Sequence, residues 1–264
     1  MMEIPFVKYH GAGNDFILLD QRERHFLSRR DEAVVAAMCR RHFGIGADGL
    51  ILLENDPEVD FAMVYFNADG REGSMCGNGG RCLVAFAHAL GIVQERCRFR
   101  AVDGWHEARV RPDGWIELRM NDVGEVERQA DHFFLDTGSP HYVRFVGDLA
   151  ALDVGAEGRS VRYNDRFRAE GTNVNFVQTL ERGIAVRTYE RGVEAETLSC
   201  GTGVTACAIA AYLSDPSEKE EVIVPIRAEG GRLEVRFRPS GGRFTDIWLC
   251  GPAQRVFDGR WPVG

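Results

Sequence analysis

Glu72, Cys76, Gly77 and Gly79 match Glu196, Cys200, Gly201 and Gly203 in type and spacing, and each set opens an apolar run of helical length, Gly77 to Leu90 and Gly201 to Leu213. Residues 82–87 (Cys-Leu-Val-Ala-Phe-Ala) and 206–211 (Ala-Cys-Ala-Ile-Ala-Ala) leave no polar stripe. A helix that is apolar on every face must be buried. At ~1.5 Å per residue each would run about 20 Å, long enough to pass through the middle of a rolled sheet. A repeat of this kind predicts two related halves, each wrapping its own central helix.

The rest of the chain reads mostly as strands. Short alternating or β-branched runs recur at 4–9, 16–20, 50–53, 61–66, 98–102 and 115–120, and again at 132–136, 142–146, 174–179, 184–189, 221–226, 233–238 and 246–249. One further helix is expected over 30–41, amphipathic, with Asp31 and Glu32 in its first turn. The expected fold is α+β: two pseudo-symmetric halves, each a mixed β-sheet rolled around a central buried helix. The first half covers 1–122 and carries Cys76, with 251–264 returning to it; the second covers 123–250 and carries Cys200.

Composition removes several classes of function. A net charge of −8 lacks the concentrated positive charge that phosphate backbones require. No run approaches the ~18–20 apolar residues of a membrane span, and the first ten residues, with Glu3, Pro5 and Lys8, lack the apolar core of a signal peptide. A cytoplasmic protein acting on a small molecule is expected. Of the 32 basic residues 30 are arginine, leaving only Lys8 and Lys219 as Schiff-base candidates for a pyridoxal-phosphate enzyme, and Lys219 sits in the acidic run 215–221.

Seven cysteines spread over 264 residues do not form the dense framework of a small disulfide-stapled domain. A free cysteine is most often core filler, and Cys82, Cys207, Cys39, Cys97 and Cys250 read that way. Cys76 and Cys200 differ, because the glycines after them expose the N–H groups of a helix start, which favour an anion and a thiolate. Zinc is not suggested, since paired ligands at Cys-x2-Cys or His-x3-His spacing are missing. A phosphate loop would continue as Gly-Lys-Ser or Gly-Lys-Thr, whereas Gly77-Asn78-Gly79-Gly80 is followed by Arg81. A Cys76–Cys200 disulfide acting as a redox switch is the rival from another class.

Five ordered motifs make the chain resemble the diaminopimelate epimerase family over nearly its whole length. They are Gly11-Ala12-Gly13-Asn14-Asp15-Phe16; Phe66-Asn67-Ala68-Asp69-Gly70 with Cys76-Gly77-Asn78-Gly79-Gly80-Arg81; Gly171-Thr172-Asn173-Val174; Tyr189-Glu190-Arg191-Gly192; and Glu196-Thr197 with Cys200-Gly201-Thr202-Gly203. The resemblance implies cofactor-independent, metal-free epimerisation of LL-diaminopimelate to meso-diaminopimelate, on the lysine and cell-wall pathway, at a site between the halves. It implies that Cys76 and Cys200 are the acid and base, and that Asn14, Asn67, Gly77, Asn78, Asn173, Glu190, Arg191, Gly201 and Thr202 hold the substrate. Another two-cysteine amino-acid racemase, or a small-molecule-binding or redox-switch protein on the same fold, stays as the alternative. A homodimer is left open.

Three positions depart from the family pattern. Gly49 stands where the pattern has Gln, Ser139-Pro140-His141 stands for Asn-Pro-His, and the stretch 193–195 is one residue longer. All three bear on the substrate end of the site. By itself Asn14 could cap a turn, Glu190 and Arg191 could be an exposed ion pair, and His141 reads as a turn or core histidine.

Overall fold

The computed structural model describes residues 2–263; Met1 and Gly264, the ends of the expected first half, lie outside the described residues. In chain order the elements are β1 (Met2–Gly11), β2 (Asn14–Asp20), α1 (Glu32–Cys39), β3 (Gly49–Glu54), β4 (Phe61–Asn67), α2 (Gly77–Ala89), β5 (Arg96–Ala101), β6 (Gly104–Val110) and β7 (Ile116–Arg119). There follow β8 (Val126–Arg128), β9 (Phe133–Asp136), β10 (Pro140–Phe145), α3 (Val154–Arg162), β11 (Asn173–Thr179), β12 (Ile184–Glu190) and β13 (Ala195–Thr197). The chain ends with α4 (Gly201–Ser214), β14 (Val222–Ala228), β15 (Gly231–Ser240), β16 (Arg243–Gly251) and β17 (Gln254–Val263). It divides into two compact units, one running up to Leu118 and taking in the segment from Gly251 on, the other Arg119–Cys250.

Within the first unit the strand order is β17-β1-β2-β3-β4-β5-β6-β7. Successive pairings are antiparallel, antiparallel, parallel, antiparallel, parallel, antiparallel and antiparallel. The second unit runs β8-β9-β10-β11-β12-β14-β15-β16 with the same succession of directions, and β13 extends β12 as a short hairpin. Parallel neighbours need a crossover, and a helix supplies each one. α1 joins β2 to β3 as α3 joins β10 to β11, and α2 joins β4 to β5 as α4 joins β12 to β14. The chain therefore adopts an α+β fold of two pseudo-symmetric halves, each a mixed sheet around a central helix.

The period-2 geometry of a strand explains why the central strands are apolar on both faces. Ile17, Leu19, Leu50 and Leu52 belong to a core cluster with Val35 and Met38 of α1. The alternate residues turn to α2, where Phe16, Ile51 and Met63 lie beside Gly79. In the second unit Val174 and Phe176 pack with Val154 and Val161 of α3, while Asn175 faces Gly203 of α4. α2 meets β1, β2, β3, β4, β6 and β17, and α4 meets β9, β10, β11, β12, β14 and β15, as a helix inside a rolled sheet does.

The expectation of three helices is corrected to four among the described residues. α3 escapes a reading by periodicity because it is short and holds Gly155 and Gly158. Its usable signal is Asp153, whose carboxylate accepts from Ala156 N at 2.9 Å as an N-cap. α1 is shorter than 30–41: Asp31 is its N-cap, with a side chain that accepts from the Ser28 N–H and hydroxyl instead of a helix amide, and Arg40 is already extended. Four strands also go unforeseen: β6, β8, β13 and β17. β17 is exposed along most of its length and so lacks the apolar alternation by which strands are recognised.

Candidate functional site

Both repeat cysteines are N-cap residues. Cys76 (φ −106°, ψ 126°) precedes α2 and Cys200 (φ −112°, ψ 115°) precedes α4, each extended. Their carbonyls accept the first intrahelical bonds, from Gly80 N at 2.7 Å and Val204 N at 2.9 Å. First-turn N–H groups at Gly77, Asn78 and Gly79, and at Gly201, Thr202 and Gly203, therefore point out of the helix start beside each sulfur. The repeat glutamates serve the scaffold: Glu72 pairs with Arg29 at 3.1 Å and Glu196 with Arg187 at 2.6 Å.

Three expected site residues of the first unit come together. Cys76 Sγ lies 3.5 Å from Asn14 Oδ1, and Asn78 Nδ2 lies 3.4 Å from the same oxygen. Behind them Asn14 Nδ2 donates to Asp48 Oδ2 at 2.6 Å, and Arg81, fully buried, donates to Asn78 Oδ1 at 2.8 Å. Asp48 is tied in turn to Arg41, which bridges to Asp15, and Asp15 pairs with buried Lys8 at 2.8 Å. Burial pushes the Asp15 carboxyl up, but hydrogen bonds and charges from Arg41 and Lys8 outweigh it and hold it at about 2. Asn67 stands apart, exposed at the end of β4, its backbone closing the loop through bonds to Arg71 and Gly70.

Cys200 is buried, and its Sγ lies 3.5 Å from Thr202 Oγ1. Thr202 Oγ1 lies 2.9 Å from His141 Nε2, and His141 Nδ1 lies 3.1 Å from Asn175 Nδ2. Burial first, and the Arg191 charge second, push His141 down to about 3, so the ring is neutral. Asn173 forms the neighbouring group. Its Nδ2 donates to Ser139 Oγ at 2.9 Å, and its Oδ1 accepts from Arg191 N at 2.9 Å. The Arg191 guanidinium reaches Glu170 O at 3.0 Å and Ser139 Oγ at 3.4 Å, and Glu190 Oε2 accepts from Thr197 at 2.8 Å.

Each of the three departures has a local consequence. A Cβ at Gly49 would lie 2.5 Å from Tyr65 Cε2, so the Tyr65 ring occupies the space a side chain there would enter. Ser139 supplies the oxygen that joins Asn173 to Arg191. In the longer stretch 193–195, Glu194 takes a left-handed conformation (φ 57°), and its carboxylate is held by Gly192 N and Arg162.

Asp48, Asn175 and Thr188 escape sequence reasoning as members of these clusters. Only Asn175 offers a signal, a polar residue within the apolar run Val174 to Val177. All seven cysteines are free thiols. Burial raises Cys39 and Cys97 to about 12 and pushes Cys82 and Cys207 up, as suits inert core thiols. Among the described residues no group of three His, Cys, Asp or Glu is placed to hold a metal.

A sequence profile described as diaminopimelate epimerase matches residues 6–126 and 133–256. The diaminopimelate epimerase of Flavobacterium psychrophilum is 49% identical over 95% of this chain and 97% of its own, and that of Aquifex aeolicus is 41% identical over 97% and 96%. Among solved structures, a PhzF-family phenazine biosynthesis protein of Bacillus anthracis matches with a TM-score of 0.75 at 14% identity, covering 100% of both chains. A hydroxyproline epimerase of Agrobacterium vitis matches with a TM-score of 0.70 at 13% identity, covering 98% of this chain and 92% of its own. At such identities these two structures speak for the fold alone.

Proposed function

The chain belongs to the diaminopimelate epimerase family, and from that premise we propose that it interconverts LL- and meso-diaminopimelate by moving the α-proton between the thiols of Cys76 and Cys200. The observation that carries the reading is the paired helix start: two cysteines at matching N-caps, each followed by glycine-bearing first turns.

Removing the α-proton of an amino acid is difficult because the neighbouring carboxylate grows more electron-rich as the carbanion forms. First-turn N–H groups, aimed in advance at that carboxylate, stabilise the developing charge without reorganisation. One sulfur, as thiolate, takes the proton; the other, as thiol, delivers one to the opposite face of the carbon, and the centre inverts.

In this reading Asn14, Asn67, Asn173 and Glu190 hold the substrate, Gly77, Asn78, Gly201 and Thr202 add helix-start N–H or side-chain contacts, and Arg191 clamps the distal carboxylate. No cofactor is called for, and Lys8, engaged by Asp15 and the Gly46 carbonyl, is ill placed for Schiff-base chemistry. The partner is a small amino acid, neither nucleic acid nor membrane, and the setting cytoplasmic. No helix among the described residues is long and apolar enough to cross a membrane.

The test is deuterium incorporation at the α-carbon of LL-diaminopimelate in D2O under reducing conditions. Wild-type protein should exchange and epimerise, and Cys76→Ala and Cys200→Ala should each abolish or cripple both. A reduced, folded wild-type protein that leaves the α-hydrogen untouched would discard the substrate.

A further inference from the structure

Each catalytic sulfur faces an amide-based network whose donor and acceptor sense can be read from its outer end, because amide orientation follows from partners of fixed role. Arg81 can only donate, so Asn78 turns Oδ1 to it and Nδ2 toward Asn14. The carboxylate of Asp48 accepts, so Asn14 gives it Nδ2 and turns Oδ1 to Cys76. Cys76 thus faces an oxygen that can accept a hydrogen and has none to give.

The second network runs the other way. Thr188 donates to Asn175 Oδ1 at 2.9 Å, and Asn175 Nδ2 donates to the Tyr142 carbonyl at 2.9 Å. The other hydrogen of Nδ2 goes to His141 Nδ1, so the neutral ring carries its proton on Nε2 and donates to Thr202 Oγ1. With that lone pair filled, the Thr202 hydroxyl has its own hydrogen to offer Cys200 Sγ. Hydrogen bonding to the charged form of a group favours that form. The charged residues behind these bonds are Arg81 and Asp48 on the Cys76 side, and Arg191, which acts on His141, on the Cys200 side.

We propose that Asp48 and Asn175 are positioning residues that set opposite resting states for the two thiols. Through Asn14, Asp48 keeps the proton on Cys76; through His141 and Thr202, Asn175 keeps Cys200 as thiolate. This rests on the two-thiol reading above. In a turnover from rest, Cys200 takes the α-hydrogen as a proton and Cys76 gives its own to the carbon. The free enzyme then holds the proton on Cys200, and exchange with solvent returns it to rest. The resting enzyme is therefore ready for one epimer first.

The experiment is NMR on the full reduced chain with cysteine labelled with 13C at Cβ, at neutral pH. Cys76 and Cys200 are assigned by the signals lost in Cys76→Ser and Cys200→Ser. In the wild type the Cys200 signal should have a thiolate shift and the Cys76 signal a thiol shift.

Asn175→Asp keeps the shape but cannot donate to His141 Nδ1. The ring proton should then move to Nδ1, read in its 15N shifts, and the Cys200 signal should move toward thiol. kcat should fall about 10- to 100-fold, the equivalent of one hydrogen bond to a charged group, with KM changed less than about twofold. Asp48→Asn, at a partly exposed position, removes the negative charge behind Asn14 while Asn78 still donates to Asn14 Oδ1, and only the Cys76 signal should move, toward thiolate. Thiolate on Cys76 with thiol on Cys200 in the wild type, or unmoved signals in both variants, overturns the proposal. D2O exchange on the same wild-type sample separates the two failures: exchange with the wrong protonation removes this assignment only, whereas no exchange removes the two-thiol reading with it.

Discussion

Alanine at the equivalent glycines Gly79 and Gly203 separates what a helix gains from what its neighbours lose. Both residues are third in their helix, where alanine is favoured over glycine by about 1 kcal/mol. At Gly79 the new Cβ would meet Ile51 Cδ1 at 3.1 Å and Met63 Cε and Phe16 Cε1 at 3.5 Å, all of them side-chain ends. The nearest is a methyl that can swing aside, so the variant should stay within about 1 kcal/mol of wild type.

At Gly203 the Cβ would lie 2.5 Å from Asn175 Oδ1, 3.2 Å from Cys200 Cβ and 3.3 Å from Cys200 Sγ. Asn175 is held by Thr188, the Tyr142 carbonyl and His141, so it cannot yield without breaking a buried bond. Overpacking or the broken bond costs about 1–3 kcal/mol more than at Gly79. Calorimetry should place the Tm of Gly203→Ala below that of Gly79→Ala by a few degrees to about 10 °C. Its epimerase rate should fall as the bonds behind Cys200 shift. Equal Tm values, or full activity in Gly203→Ala, would refute the claim that Asn175 is rigidly held.

Three further outcomes follow from particular contacts. Gly158→Ala should destabilise by about 1–3 kcal/mol in thermal melts despite better helix propensity, because the new Cβ would lie 2.6 Å from Tyr189 Cγ. Arg191→Ala should raise KM about 10- to 100-fold with little change in kcat, as loss of a charged hydrogen-bonded clamp predicts, and an unchanged KM would remove Arg191 from the site. His141 takes a proton at about 6.5 in the unfolded chain but only at about 3 in the fold, so its contribution is complete above about pH 6.5 and is lost as the pH falls toward 3. Over that window the stability of wild type should fall more steeply than that of His141→Gln, by up to about 1.4 kcal/mol per pH unit; parallel slopes in pH-dependent melts would show that the ring does not stay neutral.

The sequence by itself determined the duplicated plan and the two cysteines at the helix starts, because both are written in local pattern. Helices apolar on every face must be central, and Cys-Gly-x-Gly at their starts puts a sulfur beside exposed N–H groups, whatever surrounds them. It also contained most strands, wherever apolar alternation marks burial, but not β17, whose side chains are mostly exposed and which is placed by pairing with β1 and by Phe257, Trp261 and Val263 packing on the first half, nor α3, whose Gly158 is dictated by Tyr189. What only the tertiary structure decided is the second layer of the site. Nothing near Asp48 or Asn175 in the chain announces a partner for Asn14 or His141, since Asp48, just before β3, meets Asn14 only where β3 lies beside β2, and Asn175 meets His141 only where β11 lies beside β10. A hydrogen-bond direction depends on every group along its path, and such a path exists only once the strands are paired and the helices are packed against them.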